Sequence, residues 1–148
     1  MASKDHSLYI RYAVVDQLKR LSVANMANPV GHKDGPWRWF PQQVPANQSY
    51  PYGFVGVPIT TPDQVQCWDN STTRFAIHAY TVGETVANQI GQRLAELDGI
   101  SVDLQDAPVN CPYPAGLDLT WVSNSVVRDA AESTIFHLIS QWVAEVGA

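Results

Sequence analysis

The chain has 148 residues, enough for a modest buried core, and residues 1–148 read as a single domain. Hydrophobic residues make up 45% and charged residues 16%, a globular composition that excludes an intrinsically disordered chain. The formal net charge of -5 excludes the basic footprint of a sequence-reading nucleic-acid binder.

The opening MASKDHSLYIRY has no apolar core of signal-peptide length. No run approaches the roughly 20 apolar residues of a membrane span, so a soluble product without membrane contact is expected. Residues 7 to 21 read as a first helix. Ile10, Val14, Leu18 and Leu21 form one stripe, Leu8 and Val15 widen it, and Ser7 or Asp5 is placed to cap it. His6 falls in the terminus before it, where fraying is expected.

Residues 22 to 50 differ in kind: Asn25, Asn28, Pro29, Gly31, Gly35, Pro36, Pro41 and Pro45 break any regular element. A loop this long in a small domain is usually functional or packed on a partner. Residues 52 to 59, YGFVGVPI, read as a strand with an edge or bulge at Pro58, and residues 60 to 71 as a polar connection.

From Arg74 to Thr81 the bulk alternates, with Phe75, Ile77 and Ala79 on one face and Arg74, His78 and Tyr80 on the other, a strand signature. The period then changes. Val82, Val86, Ile90, Leu94 and Leu97 recur at helical spacing. Thr81 and Glu84 have the spacing of a capping box, and Gly99 stands where a left-handed stop belongs.

A second irregular stretch, 100 to 116, leads to two long strands. Leu117, Leu119 and Trp121 share a face, and the mixed parity beyond Ser123 predicts a twist or bulge. Residues 129 to 133 make the turn. In the last strand, Phe136, Leu138 and Trp142 lie on one face and Ile135, Ile139 and Val143 on the other, the pattern of a central strand or one covered by a neighbouring subunit. The expected fold is α+β: an antiparallel sheet of about four strands, with the N-terminal and central helices packed on it and long loops bearing Pro and Trp.

Chemistry is sparse. His78 and His137 sit within strands on the more polar parity, where a lone histidine is commonly a solvated or cross-strand polar residue. His32 and Asp34 make one donor pair, and a metal site needs three or four donors. Asp98, Asp103 and Asp106 read as a solvated acidic loop rather than a calcium site. There is no nucleophile elbow, phosphate-cradling loop or dinucleotide fingerprint. The sequence therefore predicts no enzyme activity, no cofactor and no metal; the enzymatic alternative is a small hydrolase using His32 or His78 with a nearby carboxylate. Cys67 and Cys111 belong to no C-x-x-C pair, so separate thiols and a disulfide both stay open. N-Q-S at 47 to 49 and N-S-T at 70 to 72 match glycosylation acceptors, read as chance matches without a secretion signal.

The best contact candidates are Trp37, Arg38, Trp39 and Phe40, a cluster rich in the residue types that anchor interfaces. Their alternative is a loop folded back over its own core. Trp142 is a further candidate, as core or as subunit interface.

Three segments together resemble the tail completion, or tail terminator, family of long-tailed bacteriophages and gene transfer agents. The first is FPQQVPANQSYPYGFVGV, residues 40 to 57, with its YPY approach to a hydrophobic strand. The second is the R-F-A-I-H-A-Y strand and the following helix ending in L-D-G. The third is LTWVSNSVVRDAAESTIFHLISQWVAEV, residues 119 to 146, which is similar to the family's closing hairpin. The segment from Asn28 to Trp39 is more elaborate than the family's short link.

The resemblance implies a structural virion protein at the tail or neck, assembled in the host cytoplasm. It implies a homo-oligomeric ring, hexameric in the family, at the head-proximal end of the tail tube. Such a ring stops tube polymerisation, docks on the head connector or stopper protein, and lets DNA pass through its lumen without sequence-specific binding. A net negative charge suits such a passage if the acidic groups face the hole. The alternatives are a head-completion or stopper ring protein of the phage neck, and a monomeric binding module using the Trp37–Phe40 loop.

Overall fold

The computed structural model describes residues 6–20, 39–41, 44–46, 48, 50–62, 71–104 and 116–147. Its elements in chain order are α1 (Ser7–Arg20), β1 (Trp39–Phe40), β2 (Tyr52–Val55), β3 (Ile59–Pro62), β4 (Ser71–Val82), α2 (Glu84–Leu94), β5 (Ser101–Asp103), β6 (Gly116–Arg128) and β7 (Ile135–Gly147). A turn of 3-10 helix, Ala95–Leu97, extends α2.

The fold is α+β, but among the described residues the sheet has seven strands rather than about four. Its order is β1-β2-β4-β7-β6-β5, with β3 also on β4. Every pairing is antiparallel except β1 with β2. The extra strands are two to four residues long, too short to carry a period of two. The expected 52–59 strand in fact breaks after Val55 and resumes at Ile59, running on to Pro62 into the stretch read as a polar connection. Both pieces run along the same edge of β4, and the Gly56 N–H donates to the Ala76 carbonyl at 2.8 Å in between.

Three long strands form the centre. β4 pairs with β7 from Ser71↔Val146 to Val82↔Ile135, and β7 returns along β6 in a hairpin. A strand apolar on both faces belongs between two neighbours, and β7 occupies that position. The parity change in β6 is a bulge: the pairing steps from Trp121↔Trp142 to Ser123↔Gln141, leaving Val122 extra.

The alternation in β4 holds: Phe75, Ile77 and Ala79 are buried while Arg74 is exposed. The start of α2 differs from the expected capping box. Val82 still pairs with Ile135, so the strand runs on past Thr81. Gly83, at φ +94, makes the corner, and the Thr81 hydroxyl donates to the Gly83 carbonyl at 3.1 Å. Val82 is therefore a strand residue, 56% exposed, and not part of the helical stripe. Ile90, Leu94 and Leu97 are buried as their spacing predicts, and Gly99 stops the helix at φ +81.

In α1, Ile10, Val14, Val15 and Leu18 are buried, whereas Leu8 points outward. Leu21 lies outside the described residues. His6 is buried rather than frayed, and its carbonyl accepts from the Ile10 N–H at 3.0 Å. The Ser7 hydroxyl bonds the Thr60 hydroxyl at 2.7 Å, which bonds that of Thr73 at 2.9 Å. This chain ties α1 to β3 and β4. Both helices feed one core cluster with the inward residues of the sheet, among them Trp39, Ile77, Leu117, Leu138 and Trp142. Among the described residues no helix packs on the opposite face of the sheet.

Candidate functional site: the open face of the sheet

The pleat decides what this face presents. With Ile77 and Ala79 inward, His78 and Tyr80 point the other way, and register places Phe54 beside His78 and Tyr52 beside Tyr80. On the far side of β4, Tyr80 pairs with His137 and His78 with Ile139. One step further, Val127 of β6 pairs with His137. The face is thus paved by rings and branched aliphatics from four strands.

The rings touch. Phe54 stacks on His78 with centroids 4.8 Å apart and planes 9° from parallel. Tyr80 stacks on His137 at 4.2 Å and 14°. Tyr52 lies 5.4 Å from Tyr80, and Tyr50 stacks on Tyr52 at 5.6 Å. At the centre, Nδ1 of His78 and Nε2 of His137 are 2.8 Å apart. Of the two readings for these strand histidines, solvated or cross-strand polar, the structure shows the second: they form a diagonal cross-strand pair.

Desolvation disfavours the imidazolium form. The His78 pKa is lowered from the ordinary 6.5, first by burial and then by the neighbouring His137. That of His137 is lowered by burial, against an upward pull from Asp129. Burial, with the neighbouring phenols or Asp129, raises both Tyr52 and Tyr80 above the usual phenol value. At neutral pH the face is thus uncharged at its centre, and its rim carries Val127, Val82 and Ile59, all more than half exposed. The rings at its centre are half-buried, and its most exposed apolar groups stand at the rim.

The residues expected at an interface are divided. Trp37 and Arg38 lie outside the described residues. Trp39 is buried at 2% exposure, its ring packed across Gly53 on the inner face, so its indole belongs to the core of the chain. Phe40 pairs with Phe54 at the sheet edge and is half-buried. Trp142 is also core: it is 1% exposed, and its indole N–H donates to the Ser140 hydroxyl at 2.8 Å. The surface that sequence reading missed is the Tyr50, Tyr52, Phe54 and Tyr80 set. The signal for it was present, since YPYGF and AY place aromatics on the outward parity of two strands, but their adjacency needed the register.

The remaining candidates are structural or lie elsewhere. Asp98 accepts from the Trp121 backbone N–H at 2.9 Å, locking the end of α2 to β6. Asp103 is an exposed residue of β5. His32, Asp34, Cys67, Asp106 and Cys111 lie outside the described residues. Among the described residues no three His, Cys, Asp or Glu side chains converge to hold a metal ion. None of the described helices is long and apolar enough to cross a membrane. On the helix side, a pocket of about 500 Å³ lies between α2 and β6, lined by Gly91, Gln92, Ala95, Trp121, Asn124 and Val126 among others.

No protein-family model matches the chain. No curated protein matches it either. Among solved structures, the chain is similar to one described as "Virion of native gene transfer agent (GTA) particle". The two share 13% sequence identity and a TM-score of 0.59, over 96% of this chain and 92% of that one. This is a likeness of fold, running nearly end to end in both.

Proposed function

We propose that the chain is a structural, non-catalytic virion protein of a long-tailed phage or gene transfer agent, a tail terminator. Copies of it close into a ring, hexameric as in the family it resembles, on the head-proximal end of the tail tube. The ring blocks further tube addition and joins the tail to the head connector, and DNA transits its lumen.

The observation that carries this reading is the end-to-end fold likeness to a chain of a gene transfer agent virion. The YPY strand, the strand-to-helix unit and the closing hairpin lie in the order the family resemblance requires. Two physical features agree with it. A closed ring needs two different surfaces on each subunit, and the apolar sheet face and the helix face with its Trp121 pocket are different surfaces. The net charge of -5 repels a DNA backbone and favours sliding over sticking.

The test is deletion of the gene from a producing strain, followed by electron microscopy of the particles. Headless tubes of uncontrolled length are expected, because nothing stops polymerisation. Headless tubes of normal length would replace this reading with a stopper ring of the neck, and unaltered particles would end both. Purified protein mixed with tail tubes should cap one end of each tube with a ring.

A further inference from the structure

The His78–His137 contact has a proton requirement. Two imidazole nitrogens 2.8 Å apart need one hydrogen between them, so one ring donates and the other accepts. Both rings neutral satisfies this, and so does one imidazolium donating to one imidazole. Two imidazolium rings do not: each nitrogen then carries a hydrogen aimed at the other, and the two positive charges face each other across one hydrogen-bond length.

The surroundings leave the rings little room to separate. His78 is stacked against Phe54, and His137 against Tyr80. A Cβ built on Gly56 would stand 3.0 Å from Nε2 of His78, so that edge of the ring lies against the backbone that follows β2. Among charged groups, Asp129 at the end of the β6–β7 hairpin acts on His137 and favours its protonation. From β2 and β4 the titratable neighbours are the phenols of Tyr52 and Tyr80, both raised above their usual range and neutral in acid. From β6 the register neighbours are Val127 and Ser125, which do not titrate. Arg74 of β4 and Glu145 of β7 lie further along the same face, past Ala76 and Gln141. Among the described residues a first proton therefore has Asp129 as counter-charge, and a second has none.

We propose that His78 and His137 form an acid-sensitive latch between β4 and β7, which accommodates one proton and is broken by a second. Breaking it parts the Phe54–His78 and His137–Tyr80 stacks and rearranges the centre of the open face. The latch acts within one subunit and stands whether or not the chain is a virion protein.

Nitrogen-15 NMR of the labelled full chain tests it, by titrating the histidine rings from neutral to acidic pH. At neutral pH a scalar coupling across the N–H···N bridge is expected between the two rings. In acid the pair should titrate in two separated steps belonging to both rings, with loss of the coupling and shifts of the Phe54 and Tyr80 ring signals at the second step. In His137→Asn, His78 should titrate in a single step and the Tyr80 ring should lose its pH response. Two independent single-site curves in the unaltered protein, with no coupling at any pH, would overturn the latch.

Discussion

Trp39 lies so tightly over Gly53 that a Cβ on the glycine would stand 2.3 Å from Cζ3 of the indole and 2.8 Å from the His78 carbonyl oxygen. The glycine is there to admit the ring, and β1 pairs with β2 where the ring enters the core. Gly53→Ala should destabilise the protein by at least about 1–3 kcal/mol, because neither the buried indole nor the β4 backbone can move freely. Urea denaturation would measure it. An unchanged midpoint would mean that β1 is not held against β2 in solution.

Trp39→Ala and Trp142→Ala should each lower stability by about 3–5 kcal/mol, since both empty sites enclosed by other core side chains. Ser140→Ala is the subtler test. It strands the Trp142 indole N–H in the interior, costing about 1–3 kcal/mol while removing a single oxygen. Thermal melts of the three variants would rank them.

Asn124 of β6 uses both ends of its amide, one on α2 and one on a ring of its own strand. Its Nδ2 donates to the Gly91 carbonyl at 3.0 Å, and its Oδ1 accepts from the Trp121 indole at 3.0 Å. Asn124→Leu should cost about 1–2 kcal/mol and release the Trp121 ring over the helix-side pocket. The tryptophan emission maximum should then shift to the red.

Acid should weaken the fold before the carboxylates titrate. Both histidines have folded-state pKa values depressed below 6.5, so the unfolded chain takes up their protons first. Their contribution to stability is complete above about pH 6.5 and is lost as the pH falls from there through the depressed folded values. Melting temperatures between about pH 7.5 and pH 5 should decline for the unaltered protein. The decline should be shallower for His78→Asn, where one of the two groups is gone.

The long elements were legible because each carries many repeats of its own period. Phe75, Ile77 and Ala79 defined β4, Ile90, Leu94 and Leu97 defined the buried stripe of α2, and the two-sided apolar pattern of β7 foretold a central strand. Local chemistry misled at Thr81. Its spacing to Glu84 matches a cap, but strand pairing carried the chain one residue further, and Gly83 turned the corner. β3 and β5 exist because long β4 and β6 offer them hydrogen bonds, and β1 because β2 does, which no window of their own sequence reports. The candidate site failed to show for a similar reason. His78 and His137 are 59 positions apart, and only the β4–β7 register brings them together. Trp39 and Trp142 look alike in composition to interface residues, and burial assigns both to the interior.

The extra residue at Val122 acts as a parity inverter for everything beyond it. Before it, odd-numbered residues such as Leu117 and Leu119 face the helices; after it, even-numbered Asn124 and Val126 do. Were Val122 paired in regular register instead of bulged, Asn124 and Val126 would turn to water, Ser123 and Ser125 would press on α2, and Val127 would no longer meet His137. Deleting Val122, by contrast, would set Ser123↔Gln141 directly after Trp121↔Trp142 and keep every later residue on its present face. The composition of both sheet faces over the distal hairpin therefore depends on one residue staying out of the ladder.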